Sequence, residues 1–257
     1  MKNVIYTIKA ASWWWLKAPN NTWEIVPLKS MKEFAYRVKA DLIVINEDSI
    51  PSLCLPATLT PYQCSNMLKF YVLDHFTNSN YEKMLFLDLD IIVDKKARNV
   101  FEECERKGIY MVTQDWKPHI EAFQFFLKNY FDESATIPLY CGGSIFADKH
   151  SISSFYEKVP KLGEWFDFFK KYNLHKNPKA DNGLEFNEQN LIGLFLYQQN
   201  IEVHNLHEIF KTGYFKHLNT PLNEGADIIH FCAPAGKKYL EDMAKFISKS
   251  PKAFSSI

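Results

Sequence analysis

The sequence predicts an α/β fold built on a mainly parallel sheet with helices on both faces. Short apolar runs of strand length alternate with helical patterns through roughly the first 115 residues. One run, residues 85–93, is apolar throughout except for Asp88 and Asp90. That pattern is typical of a buried parallel strand with carboxylates at its C-terminal end, where open α/β sheets place their ligands.

The first half of the chain supplies most of the predicted sheet. Strands are expected at 3–8, 42–45 and 109–113, and another begins at Leu85 and ends in Asp88-Leu89-Asp90. A helix is expected at 28–39, with Met31, Phe34, Ala35 and Val38 on one face. A second helix opens at Thr60 and Pro61, since threonine is a good N-cap and proline suits the first helical position. Its apolar stripe runs through Met67, Leu68, Tyr71 and Phe76. A third helix is expected at 97–107, closed by Gly108.

The second half is less regular and is expected to build over the first. Helices are predicted at 121–130, 150–159, 161–174 and 187–199, and strands at 138–147 and 226–231. A last turn at 232–238 leads into a C-terminal helix. The polar stretch 176–183 is rich in helix breakers, which predicts a loop and a candidate mobile lid. With 257 residues, we expect one domain spanning 1–257.

Composition excludes several classes of partner. Thirty basic and 30 acidic residues give zero formal net charge, so no global field attracts nucleic acid. Five cysteines without a C-x-x-C pair indicate neither a disulfide framework nor a zinc site. The N-terminal apolar stretch is too short for a signal peptide or a membrane span, so a cytoplasmic location is expected. Three tryptophans at 13–15 leave a peripheral membrane contact open, and nothing indicates an oligomeric state.

Asp88 and Asp90 are the strongest chemical signal in the chain. In an extended segment, residues two apart point to the same side, and burying two like charges together is costly unless a cation neutralises them. Hard divalent ions prefer such oxygen ligands, which indicates Mg²⁺ or Mn²⁺. The alternative is that the strand ends at Leu87 and both aspartates lie on the solvated lip of a loop.

Five short motifs follow one another in an order that resembles a known family. They are Lys69 on a helix, the Asp88–Asp90 strand end, the segment Cys141-Gly142-Gly143-Ser144, the pair Glu188-Gln189, and His230-Phe231 followed by Gly236-Lys237. In this order they resemble the nucleotide-sugar glycosyltransferases of the GT-A type. The most similar group is glycosyltransferase family 8, which contains glycogenin and bacterial galactosyl- and glucosyltransferases. The resemblance covers roughly residues 60–238.

The resemblance implies a Rossmann-like GT-A fold and a set of roles. Residues 1–115 would be the half that binds the nucleotide sugar, and 116–257 the acceptor half with a C-terminal metal and diphosphate segment. Asp88, Asp90 and His230 would hold Mn²⁺ or Mg²⁺, and Glu188 and Gln189 would be catalytic. The donor would contact Thr7, Lys69, Asp88, Leu89, Gly142, Gly143, Gly236 and Lys237. The implied reaction moves a hexose, with glucose or galactose favoured, from a UDP-sugar to a glycan or other acceptor, and retention is favoured.

Other interpretations of these residues stay open. His230 at a strand end is often a hydrogen-bonded structural group, Gly142 and Gly143 are consistent with a β-bulge, and Glu188 and Gln189 with helix capping. A haloacid-dehalogenase-like phosphatase would use Asp88 as nucleophile and Asp90 as acid/base. That motif normally lies on the first strand, with a small hydroxyl residue where Ile92 stands. A third possibility is a catalytically inactive sugar-binding module, although such a module has no reason to keep two mutually repelling aspartates.

Overall fold

The structure is a computed structural model, and it describes eight segments of the chain: residues 2–9, 22–46, 61–114, 117–130, 138–159, 188–210, 215–217 and 226–231. Four sequence predictions lie outside these segments. They are the tryptophans at 13–15, the helix at 161–174, the loop at 176–183, and the turn and helix that follow residue 231.

Nine strands lie in the described segments. They are β1 Asn3–Lys9, β2 Ala40–Asn46, β3 Lys83–Leu87, β4 Ile91–Val93, β5 Ile109–Thr113, β6 Tyr140–Asp148, β7 Val203–Asn205, β8 Phe215–His217 and β9 Ile228–His230. Six of them form one sheet in the order β2-β1-β3-β6-β5-β7. Only β6 runs antiparallel to its two neighbours in this sheet, while every other pairing is parallel. The prediction of a mainly parallel sheet is confirmed.

Seven helices accompany these strands in the described part of the chain. They are α1 Thr22–Arg37, α2 Pro61–Thr77, α3 Val100–Glu103, α4 Lys117–Tyr130, α5 Lys149–Lys158, α6 Glu188–Gln198 and α7 Leu206–Ile209. None of them is long and apolar enough to cross a membrane.

Two hydrophobic clusters cover the two faces of the large sheet. On one face, Tyr6 and Phe86 pack with residues of α2, α5 and α6, among them Phe70, Phe155 and Leu191. On the other, Ile5 and Leu85 pack with residues of α1 and α7, among them Met31, Phe34 and Leu206. Successive strand residues face opposite sides, so strands such as β1, β3 and β5 contribute to both clusters. The prediction of helices on both faces is therefore confirmed.

A second, smaller sheet includes β4, the strand that follows β3 of the large sheet in the chain. It has the order β4-β9-β8, with β4 and β9 antiparallel and Ile91 paired to His230. Since only three residues separate β3 from β4, the Asp88–Asp90 segment is the connection between the two sheets. The register of β4 and β9 brings His230 to that connection.

Helices α1 and α4 both begin before their predicted starts, α4 by four residues. Helix α1 begins six residues before the predicted start and contains Pro27. Its expected buried face is confirmed, since Met31, Phe34, Ala35 and Val38 are all buried.

The helix predicted at 97–107 is wrong, because only Val100–Glu103 is helical. The backbone N–H of Arg98 is bonded to the carboxylate of Asp227, outside any helix. Lys83 donates to the carbonyls of Phe101 and Cys104, which takes the acceptors that a further turn would use.

Candidate active site

Asp88 and Asp90 lie in a tight turn rather than on an extended strand. Strand β3 ends at Leu87, and the turn is closed by Ile91 N–H donating to the Asp88 carbonyl at 3.1 Å. The prediction of extended geometry through Asp90 is therefore wrong. The two aspartates do not lie on a solvated loop either, because the side chains of Asp88 and Asp90 are only 17% and 20% exposed.

The turn is held from both sheets by backbone hydrogen bonds. Asp88 N–H donates to the Gly143 carbonyl at 2.9 Å, which continues the β3–β6 pairing past the strand end. Phe231 N–H donates to the Asp90 carbonyl, also at 2.9 Å, which continues the β4–β9 pairing. These bonds fix the position of both aspartates relative to His230.

The three side chains expected to hold a metal come together. His230 Nε2 lies 3.1 Å from Asp90 Oδ1 and 3.7 Å from Asp88 Oδ2, and one ligand atom from each residue lies within 4.8 Å of the others. Among the described residues, Asp90 Oδ1 has no hydrogen-bond partner although it is buried. Burying a carboxylate oxygen that accepts no hydrogen bond costs free energy unless a cation lies beside it.

The distance between His230 and Asp90 suits two ligands of one divalent ion. With metal–ligand bonds of about 2.1 Å, adjacent ligands of such an ion lie about 3 Å apart, close to the His230–Asp90 separation. Two carboxylate oxygens and one imidazole nitrogen are a donor set that can hold a divalent cation. Asp88, Asp90 and His230 therefore fit a divalent ion.

Gly143 makes this arrangement sterically feasible. A Cβ placed on Gly143 would lie 2.5 Å from His230 Cε1 and 3.0 Å from Asp88 Oδ2. Both separations are too short for an unchanged structure, so only glycine leaves room for the two ligands. In this geometry Gly143 leaves the space that the side chains of His230 and Asp88 occupy.

Lys69 connects the aspartates to helix α6. Its ammonium lies 2.6 Å from Glu188 Oε1 and 3.1 Å from Asp88 Oδ1, and all three groups are largely buried. Burial alone would lower the pKa of Lys69, but the carboxylates of Asp88 and Glu188 outweigh it and raise that pKa above its usual value. The lysine is a fixed positive charge in the site.

Asp88 is in an environment that disfavours its charged form. Burial raises the pKa of Asp88 to about 7; Lys69 opposes the shift and the negative charge of Asp90 adds to it. A divalent cation beside Asp88 would favour the ionised carboxylate, since it adds positive charge where the protein supplies too little.

Glu188 and Gln189 open helix α6 beside Gly142. The Gly142 N–H donates to Gln189 Oε1 at 3.4 Å. A Cβ on Gly142 would lie 3.1 Å from Glu188 Oε1 and 3.2 Å from Gln189 Cβ, so this glycine permits close packing of α6. Glu188 uses one oxygen for Lys69, whereas its Oε2 is buried without a hydrogen-bond partner in the described part of the chain.

The remaining residues predicted to contact the donor differ in how the structure describes them. Thr7 lies on β1, one residue beyond the Tyr6–Phe86 pair, and its Oγ1 is buried without a partner among the described residues. The Leu89 side chain is part of the hydrophobic core, so only its backbone can face a ligand. Gly236 and Lys237 lie outside the described residues.

Cys141 lies in the site, although the sequence motifs predicted no role for it. Its Sγ lies 3.7 Å from His230 Nδ1, on the ring edge opposite the aspartates, and the Gly143 N–H donates to it at 3.4 Å. Cys141 and His230 are 89 residues apart in sequence, and only the pairing of the sheets brings them together. No local pattern could have indicated this contact.

By sequence the chain matches no known protein family and no curated protein. Its fold is similar to solved structures of glycosyltransferases. One is a glycosyltransferase involved in the glycosylation of the major capsid of PBCV-1, with a TM-score of 0.57, 10% identity, and coverage of 95% of this chain and all of that one. Another is the galactosyltransferase LgtC in complex with donor and acceptor sugar analogs, with a TM-score of 0.53 and 9% identity.

An active-site mutant of LgtC, in which glutamine is changed to glutamate, also matches, with a TM-score of 0.53 and 10% identity. Both LgtC matches cover 94% of this chain and 95% of the other. The prediction of a GT-A glycosyltransferase fold is therefore confirmed.

Proposed function

We propose that this protein is a metal-dependent hexosyltransferase that moves glucose or galactose from a UDP-sugar to a glycan or other acceptor. The observation that carries the proposal is the group formed by Asp88, Asp90 and His230 at the junction of the two sheets. It lies in a fold shared with glycosyltransferases over nearly the whole chain.

The described residues divide into two groups with different tasks. Asp88, Asp90 and His230 would hold Mn²⁺ or Mg²⁺. When bound, such an ion supplies Lewis-acid stabilisation of the negative charge that develops on the departing diphosphate. Lys237, which lies outside the described residues, would add a second positive charge on the diphosphate.

The second group would orient the donor sugar. Glu188 Oε2 is a buried acceptor without a partner in the described part of the chain, and a sugar hydroxyl is the kind of donor that would satisfy it. Lys69 holds this carboxylate in place through its 2.6 Å contact with Oε1.

Gln189 is held at the start of α6 by Gly142, and we assign it to the anomeric side of the donor. An amide there assists by polarity rather than by proton transfer, which favours retention of configuration. The glutamine reported in the active site of LgtC supports this assignment.

The location and partners form part of the same proposal. A reducing, cytoplasmic compartment is proposed because the five cysteines of the sequence are odd in number and contain no C-x-x-C pair. The aromatic residues of the second half of the chain are candidates for the acceptor surface.

Incubation with a panel of nucleotide sugars, with Mn²⁺ or with EDTA, tests the proposal directly. We expect UDP release from UDP-glucose or UDP-galactose with Mn²⁺, none with EDTA, and little from GDP-mannose.

Isothermal titration should show UDP binding that depends on Mn²⁺ and weakens in His230→Ala. Phosphate release from a generic phosphate ester would instead favour the phosphatase. Mn²⁺-dependent UDP binding without turnover of any donor would favour an inactive sugar-binding module.

A further inference from the structure

Helix α1 carries a row of exposed basic side chains on the side that faces away from the sheet. Lys32 and Arg37 are exposed, and so is Lys39, whose N–H donates to the Tyr36 carbonyl at 3.3 Å just beyond the end of the helix. Tyr36 lies among them and is 89% exposed, more than any other large apolar side chain in the described part of the chain. A single exposed aromatic ring is ordinary, but this one is surrounded by cations.

The segment that follows β4 lies alongside α1 and extends this row. At one end, Val93 N–H donates to Ser30 Oγ at 3.1 Å. Further along, Arg37 donates to the Ala97 carbonyl at 2.6 Å. Lys96 precedes Ala97 and is exposed, so its cation belongs to the same region of the surface. The basic face of the molecule is formed by Lys32, Tyr36, Arg37, Lys39 and Lys96.

The charges of the basic face are not neutralised by neighbouring acids. Among the described residues, none of its four cations forms an ion pair with a carboxylate. Glu33 and Asp94 are the acidic residues beside it, and Asp94 Oδ1 accepts from the Lys96 backbone N–H at 2.7 Å. Asp41, which follows in β2, lies 3.5 Å from Lys2. The face therefore keeps an excess of positive charge, although the whole chain has none.

We propose that the basic face docks on a membrane surface that contains anionic lipids. Its cations are spread over two turns of α1 and the adjoining segment, so they suit a flat array of headgroups better than one small anion. Each lysine or arginine near an anionic lipid surface adds attraction. Tyr36 adds a second contribution, because a tyrosine ring is stabilised where its apolar body meets lipid and its hydroxyl stays in water.

Salt should weaken this docking strongly. A protein without net charge has no long-range attraction to a membrane, so the attraction must come from the basic face itself. At physiological ionic strength such charges act over about 8 Å, and over less at higher salt. The cytoplasmic leaflet of a membrane is the one that carries a negative surface potential, which agrees with the proposed location.

Co-sedimentation with lipid vesicles tests the inference on the full chain, without metal or nucleotide. One set of vesicles contains phosphatidylcholine alone, and the other contains about one third phosphatidylglycerol. We expect the protein to bind only the vesicles with phosphatidylglycerol and to be released at high salt.

Variants show whether the basic face is the surface that binds. Lys32→Gln combined with Lys96→Gln should weaken vesicle binding about 25-fold, because each basic residue near the lipid changes binding about fivefold. Tyr36→Ser keeps the charge and should weaken binding severalfold. The matched control combines Lys128→Gln and Lys158→Gln, because these exposed lysines lie on α4 and α5, which cover the opposite face of the sheet.

Three results would overturn the inference. They are equal binding by the wild type and the Lys32→Gln, Lys96→Gln variant, an equal loss in the control variant, and equal binding to vesicles with and without phosphatidylglycerol. A duplex RNA is a further arm of the experiment. Binding to the RNA but not to the anionic vesicles would assign the basic face to a nucleic acid and refute membrane docking.

The measurements keep this inference separate from the proposed function. The basic face contains none of the residues assigned to the metal or the donor, so UDP release in solution should be the same in all of these variants. A wild type that releases no UDP would count against the proposed transfer reaction. Vesicle binding would still decide whether the basic face docks on a membrane.

Discussion

Asp90 carries a buried oxygen that lies beside an imidazole nitrogen and has no hydrogen-bond partner among the described residues. Asp90→Asn keeps the shape of the side chain and removes its charge. We expect turnover and Mn²⁺-dependent UDP binding to be lost, because one metal ligand is gone. The melting temperature of the metal-free variant should not fall, because charge repulsion with Asp88 is relieved.

Activity assays and thermal melting of Asp90→Asn check this expectation. Glu102→Gln, which changes an exposed carboxylate on α3 in the same way, should match the wild type in both. If Asp90→Asn melts clearly lower without metal, or keeps its activity, the aspartates are structural.

Gly143 provides a steric test of the same site. In Gly143→Ala the new methyl group would lie 2.5 Å from His230 Cε1, so the ring must move. We expect a loss of Mn²⁺ affinity and a destabilisation of about 1–3 kcal/mol from overpacking. Gly193→Ala is a suitable comparison, because its methyl group would lie 3.3 Å from the nearest atom of Phe123, away from the metal ligands. A Gly143→Ala variant with full metal affinity would show that His230 is not held against β6.

At the residue level, the sequence could identify groups whose chemistry is visible in a short pattern. Asp88 and Asp90 stand out because they interrupt an apolar run, and Lys69, Glu188 and His230 because of their order along the chain. Cys141 and the steric role of Gly143 could not be predicted in this way. Both depend on how β6 meets β9, and that contact joins parts of the chain 89 residues apart.

At the level of elements, an ion pair secures the strand that carries His230. Arg98 donates to Asp227 through Nε at 2.8 Å and through its backbone N–H at 3.0 Å, and it also donates to the Phe210 carbonyl. Asp227 directly precedes β9, and its carbonyl accepts from Asp94 N–H at 2.8 Å. The pair thus holds β9 against the segment that follows β4.

Asp227→Asn should therefore affect both stability and the site. Losing charge-assisted hydrogen bonds should cost about 1–3 kcal/mol, with the lower part of that range more relevant because Arg98 is partly exposed. Mn²⁺ affinity should fall as well, because β9 is less firmly placed. Urea unfolding and Mn²⁺ titration measure the two effects. Unchanged Mn²⁺ affinity despite lower stability would show that His230 is positioned without this ion pair.

The same ion pair shows why one helix could not be predicted. Residues 97–107 have a helical pattern, yet Arg98 N–H and the carbonyls of Phe101 and Cys104 are bonded to other elements. Helical propensity is worth only a few tenths of a kcal/mol per residue, so such tertiary contacts override it. Strands such as β1 and β5 were predicted closely, because burial on both faces makes their apolar pattern nearly continuous.

Asp148 joins β6 to α5 and gives a test by pH. Its carboxylate accepts hydrogen bonds from Ser151 N–H at 3.0 Å and Gly108 N–H at 2.6 Å. Burial alone would raise the pKa of Asp148, but hydrogen bonds from Ser151, Gly108 and His150 lower it below the usual 3.8. Because the folded state holds the proton less tightly than the unfolded state, the stabilisation is full above pH 3.8 and is lost as the pH falls further.

Asp148→Asn should reduce the free energy of unfolding at pH 7 by about 1–2 kcal/mol, the usual worth of a helix N-cap. The gap between variant and wild type should narrow as the pH falls below 3.8, because the wild type also loses its charge there. Urea denaturation at several pH values between 7 and 3 measures this. A gap that stays constant over that range would mean that Asp148 acts through its shape and not its charge.

At the level of the whole molecule, the proposed site lies where two sheets meet. Asp88 follows β3 of the large sheet, Asp90 precedes β4 of the small sheet, and His230 ends β9 of the small sheet. The chain shares its fold with glycosyltransferase structures at about 10% identity, because hydrophobic patterning builds the layers. The few residues at the junction then decide the chemistry.

Metal binding should therefore stabilise one part of the molecule more than the rest. An ion held by residues of both sheets favours only states in which the sheets are docked, and at a concentration of 100 times Kd the stabilisation is about 2.7 kcal/mol. We expect Mn²⁺ with UDP to slow amide hydrogen exchange in residues 88–93 and 226–231. Protection in β2 at the distant sheet edge should change much less, except through global unfolding. The same measurement on Asp90→Asn should show no added protection. Equal slowing across β2, β4 and β9 in the wild type would mean that the ligand acts on global stability without joining the two sheets.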